Sequence, residues 1–497
     1  MSRGSNSQVR PGRVNPGTAN SALSSPDIAG DAYTLSHPEL PRHIGFASAV
    51  LLVIGNVIGS GIFLTSGIML QRMPSDSLLI LAWIVGGLMA LAGALTYAEM
   101  GAMFPRSGGL YLFLYEAYGP LPAFLFGWAS LLVILTAQIG SIAVGFSEYF
   151  SYFFPYFASS HALFRVPLLG THIFVFTANK LIAALAICFL GSVNYVNARS
   201  SNHLNALLTV AKLAGICALP LLAVFFSKAH PQWIPIIPEH MTDVAGAFGV
   251  SMIAVLWAYD GWQYFPFAAG EVHNPQKNVP TALALGVALT VIIFVAVNLA
   301  YLYALNGEEM RGVVRIGERS ATALGGPSAG RFVSVAVLTS TLGCCAAMML
   351  VCTRLFFAMA RKGFFLSAVG RIHPRYRTPH IAVALTTVCA MLYAMSGSYE
   401  QLFTYVIFGG LLFAVLGGGA LFVLRRKLPD QIRPYRVWGY PFVPCVFIAS
   451  SCLLACNTLV KRPVESVSGL VLISLGVPVF LYLRNRRSKQ RSLETTA

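Results

Sequence analysis

Charge is what this sequence has least of. Only 10% of its 497 residues are Asp, Glu, Lys or Arg, and 56% are hydrophobic, where an ordinary soluble domain carries about 25% charged residues. That shortage excludes a soluble globular chain. Also missing are a Walker motif, a catalytic triad, a CxxC pair, a metal-spaced His/Cys/acid cluster and any ionisable pair with catalytic spacing on neighbouring helical turns. No enzyme, cofactor, catalytic residue or metal is therefore expected. The nine cysteines (Cys188, Cys217, Cys344, Cys345, Cys352, Cys389, Cys445, Cys452 and Cys456) all fall in apolar stretches without the paired spacing of a disulfide framework, and they read as packing residues. Residues 1–41 lack an apolar region; rich in Ser, Asn, Pro and Gly, they read as a disordered cytoplasmic tail and not as a signal peptide.

What the chain does have is long apolar runs, recurring from Ile44 to Leu483. Crossing a hydrocarbon core about 30 Å thick takes about 20 such residues as helix, and lipid offers the backbone no partners, so runs without alternation must be helical. The expected fold class is an all-α polytopic membrane protein with 12 transmembrane helices, at 44–70, 78–103, 118–147, 179–197, 202–226, 246–269, 282–306, 328–360, 380–396, 401–424, 437–458 and 465–483. An even count places both termini on one side, with a short C-terminal tail over 486–497. Lys and Arg crowd that same side, in Arg361, Lys362, Arg371, Arg375 and Arg377, then Arg425, Arg426 and Lys427, then Arg484 to Arg491, so the positive-inside rule makes the termini cytoplasmic. The net charge of +16 is explained by this topology and by anionic headgroups; no nucleic-acid partner is expected.

Two spans are interrupted. The first reads Gly55-Asn56-Val57-Ile58-Gly59-Ser60-Gly61-Ile62-Phe63, and each mid-span glycine costs about 1 kcal/mol of helix propensity relative to Ala. Taken alone, Gly55 and Gly59 fit a small-residue packing face as well as a helix break. The sixth span, Leu256-Trp257-Ala258-Tyr259-Asp260-Gly261-Trp262, places an acid, a glycine and three aromatics at mid-length. Paired interruptions five spans apart point to a transporter built from repeats, binding its substrate between unwound segments at the midplane. An Asp260 facing lipid would cost several kcal/mol, so it belongs inside the bundle. Half-helix N-termini suit a carboxylate and unwound carbonyls an ammonium, so a zwitterionic amino acid fits such a site.

Lys212 is the one cation in the middle of a span. It either snorkels to the cytoplasmic face or finds partners inside. Glu99, Glu116 and Glu148 lie near span ends, where interfacial solvation accounts for a carboxylate; His203, His373 and His380 read as surface residues without ligand spacing.

Five motifs in order carry a family resemblance: Gly59-Ser60-Gly61-Ile62-Phe63; Pro105-Arg106-Ser107-Gly108-Gly109-Leu110-Tyr111; Ala258-Tyr259-Asp260-Gly261-Trp262; Glu271 with Asn274, Pro275, Asn278 and Pro280; and Arg354 to Arg361 followed by Thr378-Pro379. Over residues 42–485 the chain resembles the amino acid–polyamine–organocation (APC) superfamily, and most its L-type amino-acid transporter branch with bacterial relatives. The resemblance implies a LeuT-type fold, with helices 1 to 5 and 6 to 10 as inverted repeats and two additional C-terminal helices. It further implies that the backbone at Ile58, Gly59, Ser60, Gly61 and Ile62 binds the α-carboxylate, that carbonyls near Ile58, Trp257 and Ala258 take the α-amino group, and that Tyr259 and Gly261 complete the unwound segment. Trp257 stands at the family's aromatic gate, bulkier than the usual phenylalanine, with Asp260 as the polar residue of the half-helix. Lys212 falls where relatives have a sodium site, bridging helix 1, with helix 8 as the second candidate partner. By analogy, Ala137, Gln138, Gly343 and Cys345 are candidate side-chain contacts.

The function expected is sodium-independent secondary transport of L-amino acids by alternating access, as exchanger or proton-coupled permease. The alternatives are a polyamine or cationic amine transporter, which would want more acids than Asp260, and a nontransporting amino-acid sensor, which would usually carry a soluble domain. The expected partners are an amino-acid substrate and the lipid bilayer. In the resembling eukaryotic branch a heavy chain is linked through a cysteine between helices 3 and 4; residues 151–180 contain none, so no disulfide-linked heavy chain is expected. That absence favours a bacterial-type multi-pass protein of the plasma membrane, or inner membrane.

Overall fold

A computed structural model describes residues 42–496 apart from 43, 106–107, 168–172, 197–200, 228, 239–240 and 362–364, and the side chains of these apart from 166–167, 173–174, 201–211, 358, 361 and 487–496. The tail expected over 1–41 lies outside the described residues, as do Arg106, Ser107 and Lys362 and the side chain of His203.

The chain opens with α1 (Phe46–Val57), α2 (Gly61–Arg72), α3 (Asp76–Met103), α4 (Gly109–Tyr118), α5 (Pro120–Ala129) and α6 (Leu135–Phe153), α5 passing into α6 through a π-helical turn at Ser130–Ile134. After the hairpin β1 (Ala162–Pro167) and β2 (Ile173–Thr177) come α7 (Ala178–Val196), α8 (Ser201–Phe226) and α9 (Val244–Ala258), then a 3-10 segment Trp262–Glu271. The rest is α10 (Pro275–Ala304), the short α11 (Gly307–Met310), α12 (Ile316–Arg361), α13 (His380–Ser396), α14 (Tyr399–Lys427), α15 (Phe442–Lys461), α16 (Pro463–Ser474) and α17 (Gly476–Thr496).

This is a polytopic, almost wholly helical membrane protein. Among the described residues ten helices, counting α1–α2, α5–α6, α9 with its 3-10 segment, and α16–α17 each as one, are long and apolar enough to cross a bilayer. Two further apolar helices are α8, 26 residues long with side chains described from Lys212 onward, and the shorter α13. The 17 residues of α13 rise about 26 Å at 1.5 Å per residue, just under the core thickness.

The hairpin departs from the all-α expectation. Its run of alternating aromatic and branched residues, Ile173-Phe174-Val175-Phe176, favours a strand once it lies outside the bilayer, and Phe164 stacks on Phe176 with centroids 4.7 Å apart.

Packing brings the two interruptions together. α3 and α1 lie along α10, α12 lies against α8 and α6, and α14 lies against α15, α6 and α9. Within this frame a Cβ on Gly61 would sit 2.5 Å from Ala258 Cα, and one on Gly261 only 2.3 Å from the Asn56 carbonyl oxygen. Gly261 also has φ +126°, a conformation that side chains rarely adopt. Gly261→Ala is therefore expected to separate the two broken segments: monodisperse yield in detergent and uptake per folded molecule should both fall severalfold, read by size-exclusion chromatography and a transport assay.

Candidate substrate site

The first helix stops because Ile58 leaves helical geometry. Ile58 is extended, at φ −70° and ψ 97°, with its N–H still bonded to Ile54, and α2 restarts at Gly61 behind Ser60. The first N–H groups of α2 precede any intrahelical acceptor, so they present the positive end of a half-helix to this gap. On the opposite side α9 ends at Ala258. There the Tyr259 N–H donates to the Val255 carbonyl at 3.0 Å and the Asp260 N–H to the Trp257 carbonyl at 3.3 Å, and Gly261 turns the chain into the 3-10 segment. The expected site residues Ile58, Gly59, Ser60, Gly61, Ile62, Trp257, Ala258, Tyr259 and Gly261 thus belong to two facing breaks, of which Gly61 and Ala258 touch most closely.

Lys212 does not snorkel. Its Nζ donates to the carbonyls of Gly55 and Ile58, both at 2.9 Å, and lies 3.4 Å from Cys344 Sγ on α12. A cation on α8 therefore ties the C-terminal end of α1 and the broken segment to α12. Cys344 also donates to the Ile58 carbonyl, at 3.5 Å, so both lone pairs of that oxygen are engaged. The Trp257 carbonyl is engaged within its own turn, by the Asp260 N–H.

Trp257 is buried, with its ring stacked on Phe403 at 6.0 Å and its indole N–H donating to Tyr399 Oη at 2.7 Å. The Tyr399 hydroxyl in turn is 3.0 Å from Ser60 Oγ. Asp260 makes a separate set of contacts. Its Oδ2 accepts from Gln138 Nε2 at 2.5 Å and its Oδ1 from Gln263 Nε2, while Tyr264 donates to Gln138 Oε1 at 3.0 Å. Asp260 thereby joins α6 to the 3-10 segment and forms part of the wall of a cavity of about 770 Å³, open mouth included, whose other walls include Tyr97, Phe126, Tyr259, Leu411 and Phe413. Of the side-chain contacts suggested by analogy, Gln138 reaches Asp260, whereas Ala137, Gly343 and Cys345 are buried in helix contacts outside this cavity's lining.

One reading of an ionisable residue changes. Glu99 is fully buried, not interfacial: Arg425 grips both its oxygens, at 2.9 and 2.6 Å, and the Val437 N–H donates to Oε2 at 2.7 Å. His373 and His380 are half-buried and pack edge to face with centroids 5.2 Å apart, Tyr195 against both and Tyr376 against His373. Tyr399 escaped sequence reading altogether. The one signal near it is the capping box of Ser398 and Gln401, which fixes the start of α14 but says nothing of what Tyr399 touches.

A bundle of apolar helices in which two are broken at mid-length, face each other and are braced by a buried cation has the construction of a membrane transporter and not of an enzyme. A family model described as amino acid permease matches residues 44–481, and the chain belongs to that family, within the superfamily its motifs resemble. It is 30% identical over 455 residues to the serine/threonine exchanger SteT of Bacillus subtilis (strain 168), covering 90% of this chain and 98% of that protein. It is 30% identical to the human b(0,+)-type amino acid transporter 1, covering 89% of this chain and 88% of that one, and 29% identical to the human cystine/glutamate transporter, covering 89% and 85%.

Proposed function

We propose that this protein carries L-amino acids across the plasma membrane without sodium, by alternating access around the two broken helices. The observation that carries the reading is the Lys212 ammonium 2.9 Å from the Gly55 and Ile58 carbonyls: a fixed charge occupies the position where a coupling cation would be held by unwound carbonyls. The substrate carboxylate binds the N–H groups at residues 59–62, and its ammonium is received by the carbonyl of Ala258, since those of Ile58 and Trp257 are already engaged. Twelve spans are counted when α8 and α13 are included, five and five as inverted repeats with two beyond, and the basic clusters favour both termini in the cytoplasm. No cysteine lies in 151–180, which supports function without a disulfide-linked partner.

Competition uptake into proteoliposomes tests this. Labelled serine, alanine and leucine are each challenged with unlabelled L-amino acids, lysine and putrescine, with sodium or choline outside and with or without internal amino acid. Uptake of neutral L-amino acids unaffected by choline is expected, and stimulation by internal substrate marks an exchanger. Dependence on sodium removes the role given to Lys212; inhibition by putrescine alone moves the substrate class to amines.

A further inference from the structure

The tyrosine that holds the gate belongs to neither broken helix. Tyr399 opens α14, a helix whose start is fixed by the Ser398–Gln401 capping box, and its side chain is buried. Its hydroxyl adds a polar link between two elements that already touch at Gly61 and Ala258: it accepts the Trp257 indole N–H at 2.7 Å and lies 3.0 Å from Ser60 Oγ in the break between α1 and α2. An indole nitrogen is a donor only and a hydroxyl is both donor and acceptor, so a phenol at this place serves both neighbours at once. The aromatic packing has the same arrangement: Tyr399 meets Trp257 at 82° and Phe403 at 76°, while Trp257 lies flat on Phe403. Helix α6 fixes the base of the group, where Ser141 Oγ donates to the Tyr399 carbonyl at 3.3 Å and a Cβ on Gly145 would come within 3.2 Å of the Tyr399 ring.

Beyond this group, on the side away from the C-terminal tail, lies a second layer made of charge. Glu400, the next residue, accepts from Arg72 in the last turn of α2, at 2.5 Å, and from Arg462 at the start of α16. Lys461 pairs at 2.5 Å with Asp243, the N-cap of α9. The far ends of both half-helices are thereby tied, one through Glu400 and one directly, to the adjacent residues 461 and 462. A gate closed by aromatics inside and by ion pairs outside is the shut state of one face of an alternating-access site.

We propose that Tyr399 is the positioning residue of this outer gate: its hydroxyl pins Trp257 against the Ser60 break and so sets the balance between the closed and open outer face. The inference rests on the transport reading above, but not on which molecule is carried. A carrier must break the pin once per cycle to admit substrate from outside, so weakening it shifts population toward the outward-open form. Losing one buried hydrogen bond of ordinary strength corresponds to about a fivefold shift.

Ser251 supplies the reporter. It is buried on α9 six residues before Trp257, in the small outer recess bounded by Arg72, Glu400, Phe403 and Arg462, and its hydroxyl has no partner among the described residues. Ser251→Cys changes little there and becomes reachable by an impermeant maleimide only when the outer face opens. In proteoliposomes, labelling of the peptide carrying residue 251 is followed by mass spectrometry in the Ser251→Cys background, alone and with Tyr399→Phe, Trp257→Phe or both. Tyr399→Phe keeps the ring and is expected to raise the labelling rate about fivefold, with a lower external KM and a lower kcat. Trp257→Phe should act in the same direction, and the double variant should add little, since both remove one link. Unchanged labelling in Tyr399→Phe, or fully additive effects in the double variant, overturns the proposal; a general loss of packing would lower kcat without lowering external KM. Because labelling requires no substrate, failure of the amino-acid panel would overturn the substrate assignment and leave the gate result standing on its own.

Discussion

Lys212→Ala is expected to lower amino-acid uptake by a hundredfold or more, in protein that still purifies as a monodisperse species. The ammonium donates two bonds of 2.9 Å to carbonyls in and next to the break and a third, longer contact to Cys344. Hydrogen bonds from a charged group are each worth about 1.5–3 kcal/mol, and each tenfold loss of rate needs about 1.4 kcal/mol, so two bonds account for the expected loss. Their removal frees the Gly55 and Ile58 carbonyls beside the proposed carboxylate site, and misplacing N–H donors by even 1 Å is enough to lose catalysis-like positioning. Lys212→Arg should not restore transport, because a planar guanidinium cannot take the place of a compact point charge between two carbonyls. The measurement is initial exchange rate per folded transporter, with substrate-induced thermal shift as a second readout. Uptake within threefold of wild type in Lys212→Ala would remove the lysine from the mechanism and with it the argument for sodium independence.

Some of this was legible in the sequence for a definite reason. Glycines at 59, 61 and 261 in the middle of apolar runs are conspicuous because nothing in a plain spanning helix would favour them; the close approach of Gly61 to Ala258 and of Gly261 to Asn56 supplies what does. Lys212 stood out as a lone charge in lipid-length apolar sequence, although its choice between snorkelling and bracing the break depended on which face of α8 meets α1. What pairs across the bundle was not legible. Tyr399 lies 142 positions from Trp257 and 339 from Ser60, and no local pattern encodes such contacts. Glu99 was misread for the same reason: a carboxylate near a span end usually meets headgroup water, and only its contact with Arg425, 326 positions away, removes it from water. The hairpin at 162–177 lies in the connection between the third and fourth expected spans, and its pairing of residues up to 15 positions apart, Ala162 with Thr177, is not encoded by any local pattern.

Glu99→Ala should be among the most destabilising single changes in the protein, though it lies outside the proposed substrate site. Glu99 has no exposed surface; it accepts twice from Arg425 and once from the Val437 N–H, with the Arg433 guanidinium 3.7 Å from Oε1. Arg425 also lies over the Tyr440 ring at 3.6 Å, so one carboxylate on α3 holds the end of α14 and the loop leading to α15. Deleting one partner of a buried pair leaves the other charge uncompensated and costs roughly 3–5 kcal/mol, and the Val437 N–H loses its acceptor as well. At about 2 °C per kcal/mol in a large domain, this corresponds to a midpoint lowered by about 6–10 °C in detergent, followed by the fraction remaining monodisperse after heating. Glu99→Gln should lose nearly as much, because its amide NH2 would face guanidinium donors where the structure requires an acceptor. Substrate affinity in whatever folds should stay close to wild type, since the cluster touches neither broken helix. A midpoint within 2 °C of wild type would mean that Arg425 finds solvent or another acceptor when Glu99 is gone, and that the loop between α14 and α15 is held by its apolar contacts instead.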